Sequence, residues 1–135
     1  MTAEYLVFFG LLLLGIMFAI NFKTVQPVRS DAQIQRSKCE SYIEARLYDA
    51  LVYRGYNVHT QVNCGPYRID LTVPSLRLAI ECDGKDYHSS PEQKKHDRRK
   101  NAYLRKHGWK VMRFSGRQIN RELPRVLAKI ESAIS

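Results

Sequence analysis

With 135 residues, the chain has room for one small domain besides a short terminal segment. Its three cysteines are odd in number and no two have a C-x-x-C spacing, which argues against a disulfide framework or a cysteine-based zinc site. The 22 basic and 13 acidic residues give a net charge of +9, which favours a polyanionic partner such as nucleic acid or anionic lipid.

The first predicted element is a transmembrane anchor in residues 1–22. The stretch from Tyr5 to Phe22 carries no charge, and as a helix it would span ~27 Å, close to the thickness of a bilayer core. A cleaved signal peptide and a buried core helix are the alternatives. The leader, however, lacks basic residues and contains Glu4, no small-residue cleavage site follows, and the run has no polar face. Because every Lys and Arg follows this segment, the positive-inside rule predicts a single-pass protein with its N-terminus outside and its C-terminal domain in the cytoplasm.

A polar linker with a helical end is predicted for residues 23–37, and the folded domain for residues 38–135. At the start of the domain, apolar residues between Tyr42 and Leu51 recur at spacings of three and four, which predicts an amphipathic helix. Gly55 is placed to end this helix in a left-handed conformation.

Three short strands are predicted next, at residues 56–62, 67–73 and 76–82. The turn residues Gly65 and Pro66 separate the first two strands. The second and third are separated by Pro74 and Ser75 alone, which is too short for a crossover connection, so these two strands are expected to form an antiparallel hairpin.

A second helix is predicted to begin at Ser90 as N-cap, with Pro91 in its first position, and to end at Gly108. It provides the long connection that a parallel pairing needs before a fourth strand at residues 109–114. A last helix at residues 121–134 completes an α/β domain of the layered α+β kind, with a mixed sheet.

Two carboxylates are predicted to converge in the hairpin. Asp70 points away from its apolar neighbours, while Glu81 and Asp83 share the face of the third strand opposite its apolar side. If Asp70 pairs near Glu81, the negative charges repel each other, and a divalent cation with hard oxygen ligands, such as Mg²⁺, resolves the conflict. The alternative is that Asp70 pairs with Arg68 or Arg77 and that Asp83 only begins a turn.

One ordered set of residues runs through most of the domain. Its members are Glu44 in YIEARLYDAL, Asp70 in RIDLTV, Glu81 to Gly84 in ECDG, His88, Asp97, Leu104, and Arg113 in GWKVMRF. This set resembles the PD-(D/E)XK nuclease superfamily, and within it the small very-short-patch-repair-like, restriction-endonuclease-like domains. The resemblance covers about residues 38–130 and lies in the order and spacing of the motifs, since no single motif is specific.

The resemblance implies an αβββαβ core and a Mg²⁺-dependent DNA endonuclease, with Mn²⁺ as a substitute cofactor. It implies that Asp70 and Glu81 bind the metal and that Glu44 completes the shell directly or through water. It also implies that Asp83 ligates the metal or orients water.

Further catalytic and DNA-binding groups follow from the same resemblance. Lys85 or His88 is implied as the acid/base or as the group that stabilises the transition state; for His88 the alternative is a hydrogen-bonded loop histidine. The DNA backbone would be held by basic side chains of the second helix and the fourth strand. These are Lys94, Arg98, Arg99, Lys100 and Arg113.

Two positions depart from the superfamily pattern. Asp83 stands where the superfamily has its lysine, although an acid is usual there in the subfamily that the chain resembles. The role of that lysine would pass to Lys85, or to Gln93 or Lys94 reaching back from the second helix. Lys100 stands where the helix pattern has an arginine, which loses bidentate phosphate geometry.

Two other functions stay open at this point. One is a catalytically inactive module of the same fold that holds nucleic acid or a partner. The other is a basic domain that docks on anionic lipid through residues 94–113. Residues 91–113 contain nine basic residues against two acidic ones, and such a charge suits either polyanion.

Overall fold

The computed structural model describes residues 2–21, 30–84 and 90–135. Its elements are α1 (Thr2–Asn21), α2 (Asp31–Ser37), α3 (Tyr42–Tyr53), β1 (His59–Cys64), β2 (Tyr67–Val73), a 3₁₀ turn (Pro74–Leu76), β3 (Leu78–Asp83), α4 (Pro91–Lys106), β4 (Lys110–Ser115), α5 (Gly116–Arg121) and α6 (Leu123–Ile134). The predicted succession of helix, three strands, helix, strand and C-terminal helix is confirmed, with α5 as an additional short helix.

The four strands form one mixed sheet in the order β1-β2-β3-β4. β1 and β2 pair antiparallel, as do β2 and β3, whereas β3 and β4 are parallel. A parallel pair needs a long crossover connection, and α4 lies in the connection between β3 and β4. The hairpin and the mixed sheet predicted from the connection lengths are therefore confirmed.

Helices cover both faces of this sheet. Alternate residues of a strand point to opposite faces, and in β3 Leu78 and Ile80 pack into a larger core with α3, α5 and α6. Ala79 instead packs with Ile69 of β2 and Leu104 of α4 in a smaller cluster. Full burial of a Leu or Ile side chain contributes about 1.5–3 kcal/mol, so Leu104 anchors α4 against its face of the sheet.

Serine side chains cap the N-termini of α3 and α4. Ser41 accepts a hydrogen bond from the N–H of Glu44 in the first turn of α3, and Ser90 accepts one from the N–H of Gln93 in α4. After α4, Gly108 has a φ of 84°, a left-handed conformation that glycine adopts without steric cost. The predicted start and end of this helix are confirmed.

Three local features differ from the prediction. The connection between β2 and β3 is longer than Pro74 and Ser75, because a 3₁₀ turn spans Pro74–Leu76 and β3 begins at Leu78. β1 begins at His59 rather than Tyr56, because the N–H of Tyr56 bonds to the carbonyl of Leu51 and continues the turn that follows α3. The short helix α5 was not predicted, although Ser115 and Gln118 form a reciprocal capping box at its start.

The segment predicted as a membrane anchor forms helix α1. Within the part of the chain that the structure describes, no helix is long and apolar enough to cross a membrane, so the predicted transmembrane helix is not supported. Residues 23–29 of the predicted linker 23–37 lie outside the described residues, and α2 forms its helical end.

Candidate active site

A row of polar residues crosses the sheet on the face that α4 covers. The ladder of β2 and β3 includes Leu71 paired with Ile80, and Asp70 and Glu81 are the next residues along the two strands. The parallel register of β3 and β4 pairs Glu81 with Arg113. The regular alternation of β2 is interrupted at Asp70, since Ile69 packs with Leu104 of α4 whereas Leu71 packs in the larger core on the other face. The charge of Glu81 nevertheless acts on Asp70, so the two carboxylates lie near each other.

Asp70 is partly buried, and its Oδ2 accepts a hydrogen bond from the backbone N–H of Cys82 at 2.8 Å. Burial raises the pKa of Asp70 from 3.8 to about 6, and the negative charges of Glu81 and Glu44 act in the same direction. The Cys82 N–H and the positive charge of Lys100 oppose this rise. Asp70 is thus a carboxylate that ionises close to neutral pH.

This raised pKa predicts a pH-dependent effect of Asp70→Asn on stability. Asp70 binds its proton more tightly in the folded chain than in the unfolded chain, so its ionisation destabilises the fold as pH rises from 3.8 through about 6. Asparagine keeps an acceptor for Cys82 and never ionises. Without divalent cations, the variant should have a free energy of unfolding about 1–2 kcal/mol above wild type at neutral pH.

Urea unfolding of both chains across the acid and neutral range measures this difference, which should disappear below the ordinary pKa of aspartate. Asp49→Asn is a matched control, since Asp49 is an exposed carboxylate paired with Arg36. A stabilisation by Asp70→Asn that is the same at every pH would contradict the assignment.

Glu81 forms an ion pair with a lysine that comes from α4. The distance from Lys100 Nζ to Glu81 Oε2 is 2.5 Å, and the side chains are only 13% and 5% exposed. Glu81 Oε1 is buried and has no hydrogen-bond partner. Lys100 was predicted to contact the DNA backbone. Because it lies one helical turn from the buried Leu104, its side chain points toward the sheet and lies inside the site.

Glu44, predicted as a third metal ligand, has both carboxylate oxygens occupied. Oε1 accepts from the hydroxyl of Ser41 at 2.8 Å, and Oε2 accepts from the N–H of Glu40 and from Nε2 of Gln61, both at 2.9 Å. Among the residues that the structure describes, no three His, Cys, Asp or Glu side chains form a group that could hold a metal ion. The role of Glu44 as a third metal ligand stays a prediction.

Asp83 forms an ion pair with Arg113, the residue of the row that lies on β4. Arg113 Nη1 donates to both carboxylate oxygens of Asp83, at 3.1 and 3.3 Å, and contacts Asp97 Oδ2 of α4 at 3.2 Å. Arg113, predicted to contact DNA, thus lies between two acids, and its Nε is buried without a hydrogen-bond partner. Asp83, predicted as catalytic, shares this ion pair.

The remaining predicted residues fall into two groups. Lys94, Arg98 and Arg99 are exposed on α4, where they are accessible to a large anionic partner. Lys85 and His88 lie outside the described residues, so their predicted catalytic roles stay predictions.

Gln61 of β1 is the site residue that the sequence analysis missed. It falls opposite Asp70, between the Thr60–Leu71 and Val62–Ile69 pairs. An isolated glutamine in a strand has no pattern that marks it as functional, and its position in the row follows only from the strand register.

The side chains of this row suit a hard divalent cation. Asp70 and Glu81 bring two carboxylates together, and Glu81 Oε1 is a buried oxygen without a donor. Mg²⁺ in nucleotide-processing sites commonly uses one or two carboxylates, with water and phosphate as its other ligands. The donor set therefore fits such an ion.

Residues 43–134 match the restriction-endonuclease-like family REase_MTES_1575. The matched range is more than half of the chain and includes Glu44, Asp70, Glu81 and Lys100. The chain belongs to this family. The resemblance to restriction-endonuclease-like domains is thereby confirmed, and the matched residues fall within the predicted domain 38–135.

A solved structure shows the same fold. The chain is similar to the catalytic domain of the homing endonuclease I-Bth0305I, with a TM-score of 0.57 and 21% sequence identity. The similarity covers 68% of this chain and 92% of that domain. No curated protein matches the chain.

Proposed function

We propose that the chain is a metal-dependent DNA endonuclease that hydrolyses phosphodiester bonds. The observation that carries the proposal is the group of Asp70, Glu81 and Lys100, in which the charges of Glu81 and Lys100 act on Asp70 and the Lys100 amine lies against Glu81, in a restriction-endonuclease-like fold. A fold alone is compatible with many functions, so the proposal depends on this group of side chains.

Asp70 and Glu81 would hold the divalent cation, Mg²⁺ or Mn²⁺. When bound, the cation would polarise the phosphate and make water a better nucleophile. Lys100, already oriented by Glu81, would donate a hydrogen bond to a phosphate oxygen as negative charge develops there.

The proposal is tested by following the cleavage of supercoiled plasmid DNA by the whole 135-residue chain. Cleavage is expected with Mg²⁺ or Mn²⁺ and not with a chelator, and Ca²⁺ should support binding without cleavage. If DNA is retained but never cut with either cation, the alternative of a catalytically inactive binding module is favoured. If anionic vesicles are bound and DNA is not, the lipid-docking alternative is favoured.

The exposed basic side chains of α4 are proposed to hold the DNA backbone. Each phosphate contact from Lys or Arg adds about −0.9 to the slope of log affinity against log salt for duplex DNA. The double substitution Arg98→Ala and Arg99→Ala should therefore weaken binding to all sequences alike and reduce that slope by about two. Fluorescence anisotropy with a labelled duplex over a salt series measures both quantities.

Arg125→Ala is the control for this double substitution. Arg125 is an exposed arginine of α6 that pairs with Glu122 three residues away. The variant Arg125→Ala should leave the slope of log affinity against log salt unchanged. An equal loss in both variants would mean that the net charge, and not α4, determines binding.

The location of the protein in the cell stays a prediction from the sequence. A cytoplasmic domain attached to a membrane through the N-terminal segment would confine nuclease activity to DNA at the membrane. Recovery of the chain from the soluble fraction of lysed cells would contradict this prediction.

A further inference from the structure

Gln61 has a strained backbone in the middle of a strand. Its φ is 53°, and among the described residues the other non-glycine residue with a positive φ is Arg77, which follows the 3₁₀ turn. A left-handed conformation costs a non-glycine residue about 1–2 kcal/mol, and such strain concentrates at functional sites. In β1 the strained residue is the one that lies opposite Asp70.

The hydrogen bond to Glu44 fixes which way the amide of Gln61 points. A carboxylate only accepts hydrogen bonds, so Nε2 must be the atom that faces Glu44, and Oε1 must face the other way. Gln61 Oε1 is buried and has no hydrogen-bond partner. A buried acceptor without a donor is unfavourable by about 1–3 kcal/mol, unless a group absent from the protein satisfies it.

Glu81 Oε1 is a second buried oxygen without a partner. Gln61 and Glu81 stand on either side of Asp70, on β1 and β3. A cation held by Asp70 would give both oxygens a partner. Glu44, in contrast, already accepts three hydrogen bonds and has little capacity left for a ligand.

We infer that Gln61 Oε1 is the third protein oxygen for the divalent cation held by Asp70 and Glu81, and that Glu44 acts only by orienting the Gln61 amide. This inference rests on the proposed metal-dependent function. It explains why no group of three acidic, histidine or cysteine side chains is found in the described part of the chain, since the third ligand is an amide.

The test measures cation binding and not cleavage, by titrating Mn²⁺ into the whole chain in a calorimeter. Gln61→Met removes the oxygen and keeps the length of the side chain, and should weaken binding by about tenfold or more. Glu44→Gln keeps an acceptor for the Gln61 amide and should change affinity by less than about threefold. Asp70→Asn should lose most of the binding.

Gln35→Met is the matched control for Gln61→Met. Gln35 is also a glutamine against β1, but its Oε1 accepts from the N–H and the hydroxyl of Thr60. The control should bind Mn²⁺ as the unchanged chain does. The rise in melting temperature on adding Mn²⁺ should likewise persist in Gln35→Met and be reduced in Gln61→Met.

The outcomes separate this inference from the proposed function. If Asp70→Asn loses Mn²⁺ while Gln61→Met binds it normally, the amide is not a ligand and the metal site stands without it. If Glu44→Gln loses as much binding as Asp70→Asn, Glu44 is a direct ligand and the inference is wrong, whether or not Gln61→Met folds. Absence of binding by the unchanged chain would overturn the metal site and the inference together.

Discussion

Replacing Asp70 with asparagine is expected to slow DNA cleavage by roughly 10³-fold, and Glu81→Gln by a similar factor. Each substitution keeps the size of the side chain and removes one of the two converging negative charges. When that charge is removed, the site binds the cation that would polarise the phosphate less tightly. Single-turnover cleavage of a labelled duplex over a range of Mg²⁺ concentrations separates weakened cation binding from a slower chemical step.

Exposed acids provide the controls for these two variants. Asp49 pairs with Arg36 and Glu131 pairs with Arg54, on side chains that are 40–54% exposed. Asp49→Asn and Glu131→Gln should change the cleavage rate by less than about twofold, since exposed ion pairs contribute little. Equal cleavage by all four variants would show that the pair of acids on β2 and β3 is not the catalytic site.

Stability measurements distinguish a lost catalyst from a misfolded chain. Asp70→Asn should be more stable than wild type at neutral pH, because a carboxylate whose pKa is raised to about 6 destabilises the fold once it is ionised. A variant that is inactive and more stable would show that the chain keeps a destabilising carboxylate because its function needs it. A variant that is inactive and unfolded would say nothing about catalysis, and Glu81→Gln would then provide the test.

The sheet could be predicted from the sequence because its signals are local. The predicted two-residue connection at Pro74 and Ser75 left an antiparallel hairpin as the only pairing for its strands. Within that hairpin, the period-two alternation placed Glu81 on the face that α4 covers. It failed at Asp70, because its neighbours Ile69 and Leu71 pack on opposite faces of the sheet. Ser90 and Gly108 marked the limits of α4 for an equally local reason, because capping depends on residues within one turn.

The partners of the site residues could not be predicted in this way. Lys100 meets Glu81 because Leu104 packs on Ile69 and holds α4 at one height and rotation above the sheet. That geometry depends on packing between elements distant in sequence. The left-handed backbone of Gln61 was equally hidden, since glutamine is not a residue that signals a positive φ. The capping box of α5, in contrast, was a readable local signal that was overlooked.

The contact of Lys100 with Glu81 leads to the second large expected effect. Lys100→Met should lower the single-turnover cleavage rate by about 10²-fold or more and leave DNA affinity nearly unchanged. Methionine preserves the length and apolar packing of the side chain but removes the amine. It also leaves Glu81 buried without its positive partner, which destabilises a fold by about 3–5 kcal/mol. Mg²⁺ should restore part of that stability, since a cation at Asp70 and Glu81 would replace the lost charge.

Lys94→Met on the same helix separates catalysis from DNA binding. Lys94 is exposed, so its loss should weaken DNA binding and reduce the salt slope by about one, while the rate at saturating DNA stays the same. Lys100→Met should show the opposite pattern, because its amine is buried against Glu81 and not presented to the DNA backbone. If Lys100→Met behaved as Lys94→Met does, the lysine would belong to the DNA-binding face of α4. The catalytic site would then consist of two carboxylates without an amine, and stabilisation of the phosphate would fall to the cation alone.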